Sequence, residues 1–260
     1  MIEPVERADD PRIREYRHTG NPAWLRRQGL FVAEGRLVLK RLLDSGRFPI
    51  RSILLTPPAL QSFGASLDTP APIFVASPDL LREITGFDFH RGCLALAHRP
   101  SEDPIAGRFA DAELLLAIEG VGNPDNIGGL FRAAAAFGVD GVLLDPASAD
   151  PFYRKAVRTS MGAVLTVPFE RAAMWPAALE PFKGSGFRIL ALTPRVDARP
   201  LADVLPLPSG SLIVLVGAEG PGLSEAALAT ADMMCRIPIS ADVDSLNVVV
   251  AAAIALSRVR

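Results

Sequence analysis

The chain has 260 residues, of which 49% are hydrophobic and 22% charged, so it can bury a large core and is not intrinsically disordered. It has no apolar run of the roughly 18 to 20 residues that a membrane-spanning helix needs. Its only cysteines, Cys93 and Cys235, form neither a disulfide framework nor a zinc-binding spacing, and its three histidines are scattered. We therefore expect a reduced, cytoplasmic protein without a metal site.

Charge is distributed unevenly along the chain. Residues 1–100 carry 14 Lys and Arg against 11 Asp and Glu, whereas residues 101–260 carry 13 against 18. A net positive front part can neutralise the phosphates of a nucleic acid. The same excess is also typical of an ordinary solvated surface, so both interpretations stay open.

The front part of the chain alternates predicted strands and helices. In chain order we expect a helix around Pro11–Arg17, a strand at 29–35, a helix at 36–43, and strands at 53–55, 73–75 and 93–97. The second helix has apolar residues at Leu37, Val38, Leu42 and Leu43, a spacing that gives one buried face. This alternation predicts a small α/β domain over residues 1–100. A linker rich in turn-forming residues is expected over 101–108.

The second part repeats the alternation more strongly. The continuous apolar run at 114–118 is typical of a strand buried on both faces of a parallel sheet. A helix is expected to be capped by Asp125 or Asn126 and to run to Phe137. Further strands are predicted at 142–144, 165–169, 188–192 and 212–216, and a last helix from Ser245 to about Arg258. We therefore predict an α/β domain with a parallel sheet over residues 109–260.

The helix after residue 123 contains an arginine among small and apolar residues. Because a buried, unpaired guanidinium is very costly, Arg132 needs a partner. One interpretation is an ion pair with Asp140 or Asp145. The other is an arginine aimed at a phosphate or a reacting oxygen.

Two later stretches also join a strand to a helix. The loop at 217–224 contains three glycines, which let a ligand approach the backbone closely, but it matches neither the dinucleotide nor the Walker A spacing. A tight turn that leads into a helix at Ser224 and Glu225 is the alternative. Before the last helix, Ser245 is a plausible N-cap. Asn247 is harder to explain as part of a capped core helix, because a buried amide needs hydrogen-bond partners.

Taken together, these stretches resemble the three motifs of the SpoU/TrmH family of SPOUT-class RNA methyltransferases. The matches are Asn126-x-Gly128 with Arg132, Gly217-x-Glu219-Gly220 with Gly222-Leu223, and Ile237-Pro238 with Ser245-Leu246-Asn247-Val248. The segment at 158–163 also resembles a family segment. The chain departs from the family at Val249, where a serine is usual, and at Ala241, where a glycine is common.

The front part resembles the small substrate-binding domain that many family members carry, through residues 31–35 and 90–95. This favours the ribosomal-RNA branch over the tRNA branch. The resemblance implies an RNA-binding domain at 1–100, a SPOUT domain at 109–260 with a deep trefoil knot, and a homodimer. Such knots are otherwise almost absent from proteins. The apolar helix at 248–256 fits a dimer face and a core equally well.

The resemblance also implies the cofactor S-adenosylmethionine and transfer of its methyl group to a ribose 2′-hydroxyl. The implied cofactor residues are Gly217, Ala218, Glu219, Gly220, Ile237 and Leu246. Arg132 would activate the hydroxyl, and stabilising the developing alkoxide is easier for a guanidinium than acting as a base. Asn126, Ser245 and Asn247 would orient the arginine and the ribose, and Glu219 would fix the arginine or the loop.

Contact with the RNA backbone is predicted for basic residues of the front part. These are Arg12, Arg14, Arg17, Arg26 and Arg27. Tyr16 and Trp24 are candidates for stacking on a base, although Trp24 fits a core-covering role equally well. The alternatives are a tRNA 2′-O-methyltransferase, a base-nitrogen methyltransferase and a catalytically silent RNA-binding relative. A nucleotide-dependent oxidoreductase is disfavoured because its glycine fingerprint is missing.

Overall fold

The computed structural model describes residues 2–86, 92–100, 107–204, 210–240 and 242–259. Ala241, residues 90 and 91 and most of the predicted linker lie outside the described residues. The chain forms two compact units, Met1–Ser101 with Phe152–Thr166, and Glu102–Pro151 with Val167–Arg260. None of the helices in the described ranges has both the length and the apolar character to cross a membrane.

Strands and helices alternate along the chain. The strands are β1 (Ile2–Pro4), β2 (Leu30–Glu34), β3 (Ile50–Leu55), β4 (Ile73–Val75), β5 (Cys93–His98), β6 (Leu114–Glu119), β7 (Gly141–Leu144), β8 (Phe169–Arg171), β9 (Arg188–Leu192), β10 (Arg199–Pro200), β11 (Leu212–Gly217) and β12 (Met233–Arg236). The α-helices are α1 (Pro22–Arg27), α2 (Arg36–Ser45), α3 (Pro57–Phe63), α4 (Pro78–Thr85), α5 (Pro124–Ala136), α6 (Arg154–Thr159), α7 (Glu180–Gly184), α8 (Glu225–Thr230) and α9 (Val248–Val259). Short 3-10 helices cover Pro11–His18, Gly64–Ser66, Ala163–Leu165, Ala177–Leu179 and Leu201–Val204.

The first unit contains a mixed sheet in the order β1-β4-β3-β5-β2. The strands β1, β4 and β3 are parallel, and β5 runs antiparallel to both β3 and β2. The sequence predicts β2, β3, β4 and β5. It does not predict β1, because three residues are too few to give a periodic signal. The helix at 36–43 is confirmed as α2, but its buried face is corrected: Leu39 is buried and Leu37 is 38% exposed.

Residues 152–166 follow β7 and precede β8, which both belong to the second unit, yet by their contacts they belong to the first. Phe152 explains this, because its ring centroid lies 4.8 Å from that of Phe31 and 5.7 Å from that of Phe48. Such aromatic contacts bury large apolar areas. Residues 152–166 therefore pack with β2 in the core of the first unit.

The second unit contains seven parallel strands in the order β10-β12-β9-β11-β6-β7-β8. The predicted parallel sheet is confirmed, and β6 and β11 lie at its centre as strands that are apolar and buried up to their last residues, Glu119 and Gly217. The trefoil knot stays a prediction, since strand order alone does not establish it.

The strand predicted at 165–169 is wrong. Residues Ala163–Leu165 form a 3-10 turn instead, and β8 begins only at Phe169. The N–H groups of Leu165 and Thr166 donate to the carbonyls of Gly162 and Ala163 at 3.0 Å, so both residues are held in turns and not in a strand. Pro168 also lacks the N–H group that a strand ladder uses.

Two predicted helix caps are also wrong. Helix α5 is capped by Asn123, whose Oδ1 accepts a hydrogen bond from the N–H of Asp125 at 2.9 Å. Helix α9 begins at Val248 and not at Ser245. The Oδ1 atom of Asn247 accepts from the N–H of Val249 at 2.9 Å, so Asn247 has the capping role. The side chain of Asn126 is thereby left for contacts outside its own helix.

Candidate active site

The central strands of the second unit end at one edge of the sheet. Strands β6 and β11 are parallel and pair in register up to Glu119 and Gly217, so the loops that follow them emerge side by side. Ligands bind at this edge in open parallel sheets. A cavity of about 720 Å³, part of it open to solvent, lies there. Its walls include all six predicted cofactor residues and Ser245, namely Gly217, Ala218, Glu219, Gly220, Ser245, Ile237 and Leu246.

Gly217 has no room for a side chain. A Cβ atom at this position would lie 2.4 Å from the carbonyl carbon of Gly222 and 2.5 Å from the nitrogen of Leu223. The loop folds back because the N–H of Gly222 donates to the carbonyl of Ala218 at 3.0 Å. Gly220 and Gly222 have φ angles of +91° and +70°, which favour glycine. The glycines therefore let this loop turn tightly and form a wall of the cavity.

Three predicted site residues form one hydrogen-bonded network. The Nδ2 atom of Asn126 donates to Oε2 of Glu219 at 2.9 Å, and Nδ2 of Asn247 donates to Oε1 at 2.6 Å. Nδ2 of Asn247 also lies 3.2 Å from Oδ1 of Asn126. Residues from three separate motifs are thus brought together. The carboxylate fixes the orientation of both amides, because it can only accept hydrogen bonds.

A second carboxylate at this edge is one that the sequence analysis missed. Glu119 is 9% exposed and accepts two hydrogen bonds from Ser224, at 2.8 Å from its N–H and 2.7 Å from its hydroxyl. The indole Nε1 of Trp175 donates to the same carboxylate at 3.0 Å. The position of Glu119 at the end of a buried strand was the available signal, since a buried carboxylate needs donors.

Arg132 is not brought into this network. Its side chain is exposed, does not line the cavity, and makes no hydrogen bond or ion pair with any described residue. The first of the two interpretations, an ion pair with Asp140 or Asp145, is wrong. Asp140 accepts from backbone N–H groups at the start of β6, and Asp145 accepts from Ser148. The apolar residues around Arg132 in sequence lie on other faces of α5.

Several wall residues were not predicted from the sequence. They are Leu192, Thr193, Pro194, Val216, Gly222, Cys235, Ile239, Val248 and Ala251. Leu192 ends β9, and Thr193 and Pro194 follow it, so their place beside β11 could have been inferred from the rule that parallel strands end at one edge. Burial raises the pKa of the Cys235 thiol, partly offset by Arg199.

The departure at Val249 has a structural counterpart in α5. A Cβ atom on Gly129 would lie 2.7 and 2.9 Å from the two methyl carbons of Val249. The valine therefore fills the space that the glycine leaves between α5 and α9. Both helices border the network, because Asn126 is in α5 and Asn247 caps α9.

The five arginines of the front part that are predicted to contact RNA differ in whether they already have partners within the protein. Arg12 is paired with Glu3 at 2.6 Å and Asp10 at 2.5 Å, and these bonds raise the pKa of Arg12 and lower that of Asp10. The guanidinium of Arg17 donates to the carbonyl of Ala8. The other three side chains are exposed, with no hydrogen bond or ion pair to described residues; they are Arg14, Arg26 and Arg27.

The two aromatic candidates also differ. Tyr16 is 1% exposed and its hydroxyl is 2.9 Å from that of Ser52, so stacking on an RNA base is excluded for this side chain. Burial raises the pKa of Tyr16. Trp24 packs partly against the core of the first unit, and its ring stacks on His18 at 4.3 Å. The core-covering interpretation of Trp24 is thus confirmed.

Comparison with known proteins agrees with the motifs. A model of the SpoU rRNA Methylase family matches residues 113–257. An uncharacterized tRNA/rRNA methyltransferase of Mycobacterium tuberculosis is 43% identical, and the match covers 95% of this chain and 88% of the relative. The 23S rRNA (guanosine(2553)-2'-O)-methyltransferase RlmP of Bacillus subtilis is 26% identical over 98% of both chains.

The fold is shared with a solved structure. The AdoMet-bound rRNA methyltransferase from Sinorhizobium meliloti superposes with a TM-score of 0.83 over 99% of this chain and 97% of that one, at 22% identity. The predicted α/β class, with a parallel-sheet domain and a small front domain, is therefore confirmed. Since the family model matches more than half of the chain and the mycobacterial relative matches nearly all of it, the chain belongs to the SpoU rRNA methylase family.

Proposed function

We propose that this RNA methyltransferase transfers a methyl group from S-adenosylmethionine to a ribose 2′-hydroxyl in ribosomal RNA. The observation that carries the proposal is the network of Asn126, Glu219 and Asn247 next to a glycine-shaped cavity. The similarity to RlmP along the whole chain supports a ribose in rRNA over a tRNA substrate.

The cavity suits the cofactor. Its walls are mainly apolar side chains and glycine backbone, which suit an adenine ring bonded to backbone groups. Gly217, Ala218 and Gly220 would hold it on one side, and Ile237 and Leu246 on another. When bound, S-adenosylmethionine supplies a methyl group on a positively charged sulfur. The carboxylate of Glu219 is held by two amides and so keeps a fixed place in the wall.

The chain's own residues would position and activate the hydroxyl. The side chain of Arg132 is exposed, so its guanidinium is accessible to an RNA ligand. Its guanidinium would stabilise the negative charge that develops on the ribose oxygen while the hydroxyl proton leaves to water. The amides of Asn126 and Asn247 and the hydroxyl of Ser245 would orient the ribose.

The proposal includes a homodimer. Among the five exposed large apolar side chains of the described second unit, two lie just before α9 and one on it: Ile239, Val243 and Val250. A second copy of the chain would cover this apolar surface. Sedimentation of the wild type against Val250→Asp tests it, with a shift from dimer to monomer expected for the variant. A wild type that sediments as a monomer at all concentrations would contradict it.

The deciding experiment measures methyl transfer from radiolabelled S-adenosylmethionine to total rRNA and total tRNA from cells that lack the gene. Wild type and Arg132→Ala are compared, and the product nucleosides are resolved. We expect a labelled 2′-O-methylnucleoside from rRNA with the wild type only. Label in tRNA alone would show that tRNA is the substrate. Label on a base would show that the enzyme methylates a base and not the ribose. Cofactor binding without label in either RNA would indicate a catalytically silent relative.

A further inference from the structure

A group of basic side chains lies on two helices of the first unit. We call it the α2–α6 surface, and its members are Arg36, Lys40, Arg41, Arg154, Lys155 and Arg158. The two helices are held together through β2, which packs against α6 and leads directly into α2. The sequence gives no hint of this grouping, because more than a hundred residues separate the two helices.

One buried carboxylate organises part of this surface. Glu34, the last residue of β2, is 8% exposed. Its Oε2 atom lies 3.4 Å from the guanidinium of Arg154, and its Oε1 atom lies 3.9 Å from that of Arg158. A single negative charge thus faces two positive charges. Both contacts hold the arginines in place, and Arg158, whose side chain is 49% exposed, presents its guanidinium at the surface.

The basic side chains of α2 are only partly neutralised by the residues around them. Arg41 donates to the carbonyl of Met161 at 2.9 Å, a contact that orients the guanidinium without cancelling its charge. Arg36 is exposed and has no hydrogen bond or ion pair with a residue in the described ranges. Lys40 is paired with Asp44 at 3.3 Å, and both are largely exposed, so this pair is weak.

The link between the two helices is shaped by a tight turn. Met161 and Gly162 both have positive φ angles, and a Cβ atom on Gly162 would lie 3.2 Å from Cδ of Arg41. The glycine therefore lets the turn close onto α2. Side chains that are already held in place lose less entropy when they bind a ligand.

We propose that the α2–α6 surface binds the phosphate backbone of the RNA substrate; this inference rests on the proposed function. Phosphodiesters fit the surface because arginine forks recognise phosphate oxygens, and because such contacts fix the position of an RNA without reading its sequence. The surface differs from the set predicted from sequence, in which Arg12 is already bound to two carboxylates.

The test compares two triple variants with the same loss of charge. The first is Arg36→Gln, Lys40→Gln and Arg158→Gln in the α2–α6 surface. The matched control is Arg14→Gln, Arg26→Gln and Arg27→Gln in the same unit. Binding to protein-free 23S rRNA is measured between about 50 and 200 mM salt, since the slope of log K against log salt counts displaced counterions.

We expect the surface variant to bind more weakly and to flatten the slope by roughly two, at about 0.7 to 0.9 for each lost phosphate contact, with a smaller change in the control. A charge-conserving variant with Arg36→Lys, Lys40→Arg and Arg158→Lys should keep the wild-type slope, which separates lost charge from a folding defect. The inference is overturned if the surface variant keeps the wild-type slope. It is also overturned if the charge-conserving variant flattens the slope as much as the surface variant does.

Failure of this inference and failure of the proposed function give different results. If the wild type methylates rRNA while the surface variant keeps its slope, only the surface assignment is wrong. If the wild type methylates neither rRNA nor tRNA, the proposed function is wrong, and the inference that rests on it is withdrawn with it.

Discussion

Glu119 is joined to Ser224 by two hydrogen bonds, although 105 residues separate them in the sequence. Glu119 also pairs across the sheet with Gly217, where the cavity loop begins. The loop at 217–224 is therefore fastened at both ends to the same point of β6. Since this loop forms a wall of the cavity, the carboxylate acts as a positioning residue for it.

Replacing Glu119 by glutamine should weaken cofactor binding. The amide of Glu119→Gln cannot accept from both donors of Ser224, which leaves a buried group unsatisfied at a cost of about 1–3 kcal/mol. We expect the Kd for S-adenosylmethionine to rise by about tenfold, measured by titration calorimetry. Trp175→Phe is the control, since it removes one donor and keeps both bonds to Ser224. Equal Kd values for wild type and Glu119→Gln would show that the loop is held in another way.

The network of Asn126, Glu219 and Asn247 should behave as one unit. In Glu219→Gln the side chain loses an acceptor for one of the two amides, and in Asn247→Ala one amide is lost. We expect each change to lower the kcat of methyl transfer by about 100-fold, and the double variant to be hardly worse than either, because coupled residues are not additive. Steady-state kinetics on rRNA measure this. Additive losses in the double variant would contradict a shared role.

The sequence predicts those features of the site that depend on neighbouring residues, and it fails where the contacts join residues far apart in the chain. The apolar runs at 114–118 and 212–216 predict the two central strands because burial on both faces leaves a local signal. The motif resemblance placed Asn126 and Glu219 in one site, but their hydrogen bond was not predicted, since the residues are 93 positions apart. The caps at Asn123 and Asn247 were missed because several neighbouring polar residues have equal capping ability.

The predictions from sequence differ most from the structure in the burial of Arg132 and in the unit to which residues 152–166 belong. The apolar neighbours of Arg132 suggested burial, but periodicity does not say whether one position of a helix faces solvent. The segment at 152–166 lies between strands of the second unit, so chain order alone assigns it there. Its aromatic contact with Phe31 is a tertiary fact that no local pattern records.

Arg132 should matter for catalysis and not for folding. Its side chain is exposed and contacts no described partner, so Arg132→Ala should change the free energy of unfolding by less than about 0.5 kcal/mol. Methyl transfer should fall by about 100-fold or more, as when one oxyanion-stabilising donor is removed. Arg132→Lys keeps the charge but not the fork, and should be intermediate. Urea unfolding and single-turnover transfer measure the two effects. Retained transfer in Arg132→Ala would remove it from the mechanism.

Cys235 offers a chemical test of the cavity. Burial raises the pKa of its thiol, and only the thiolate is nucleophilic, so alkylation by iodoacetamide should be slower than for a free thiol at pH 8 and should accelerate as the pH rises. In a Cys93→Ala background, S-adenosylmethionine should protect Cys235, because the thiol is part of the cavity wall. Mass spectrometry follows the modified fraction. Alkylation that saturating cofactor does not slow would place the cofactor elsewhere.

The contact between Gly129 and Val249 sets the distance between α5 and α9. Glycine to alanine in a helix interior normally stabilises by about 0.5–1 kcal/mol. Here the new methyl group would lie 2.7 Å from a Val249 carbon, so we expect Gly129→Ala to lower the free energy of unfolding by about 1–3 kcal/mol. Adding Val249→Ala should restore most of it, as measured by urea unfolding.

The same pair of variants connects helix packing to catalysis. Spreading α5 from α9 would lengthen the contact between Asn126 and Asn247, which is already 3.2 Å long. We therefore expect Gly129→Ala to reduce methyl transfer as well, and the double variant to recover both properties together. Val249→Ala alone is the control, since it opens space without a clash. Recovered stability without recovered transfer would mean that the helix spacing does not position the network.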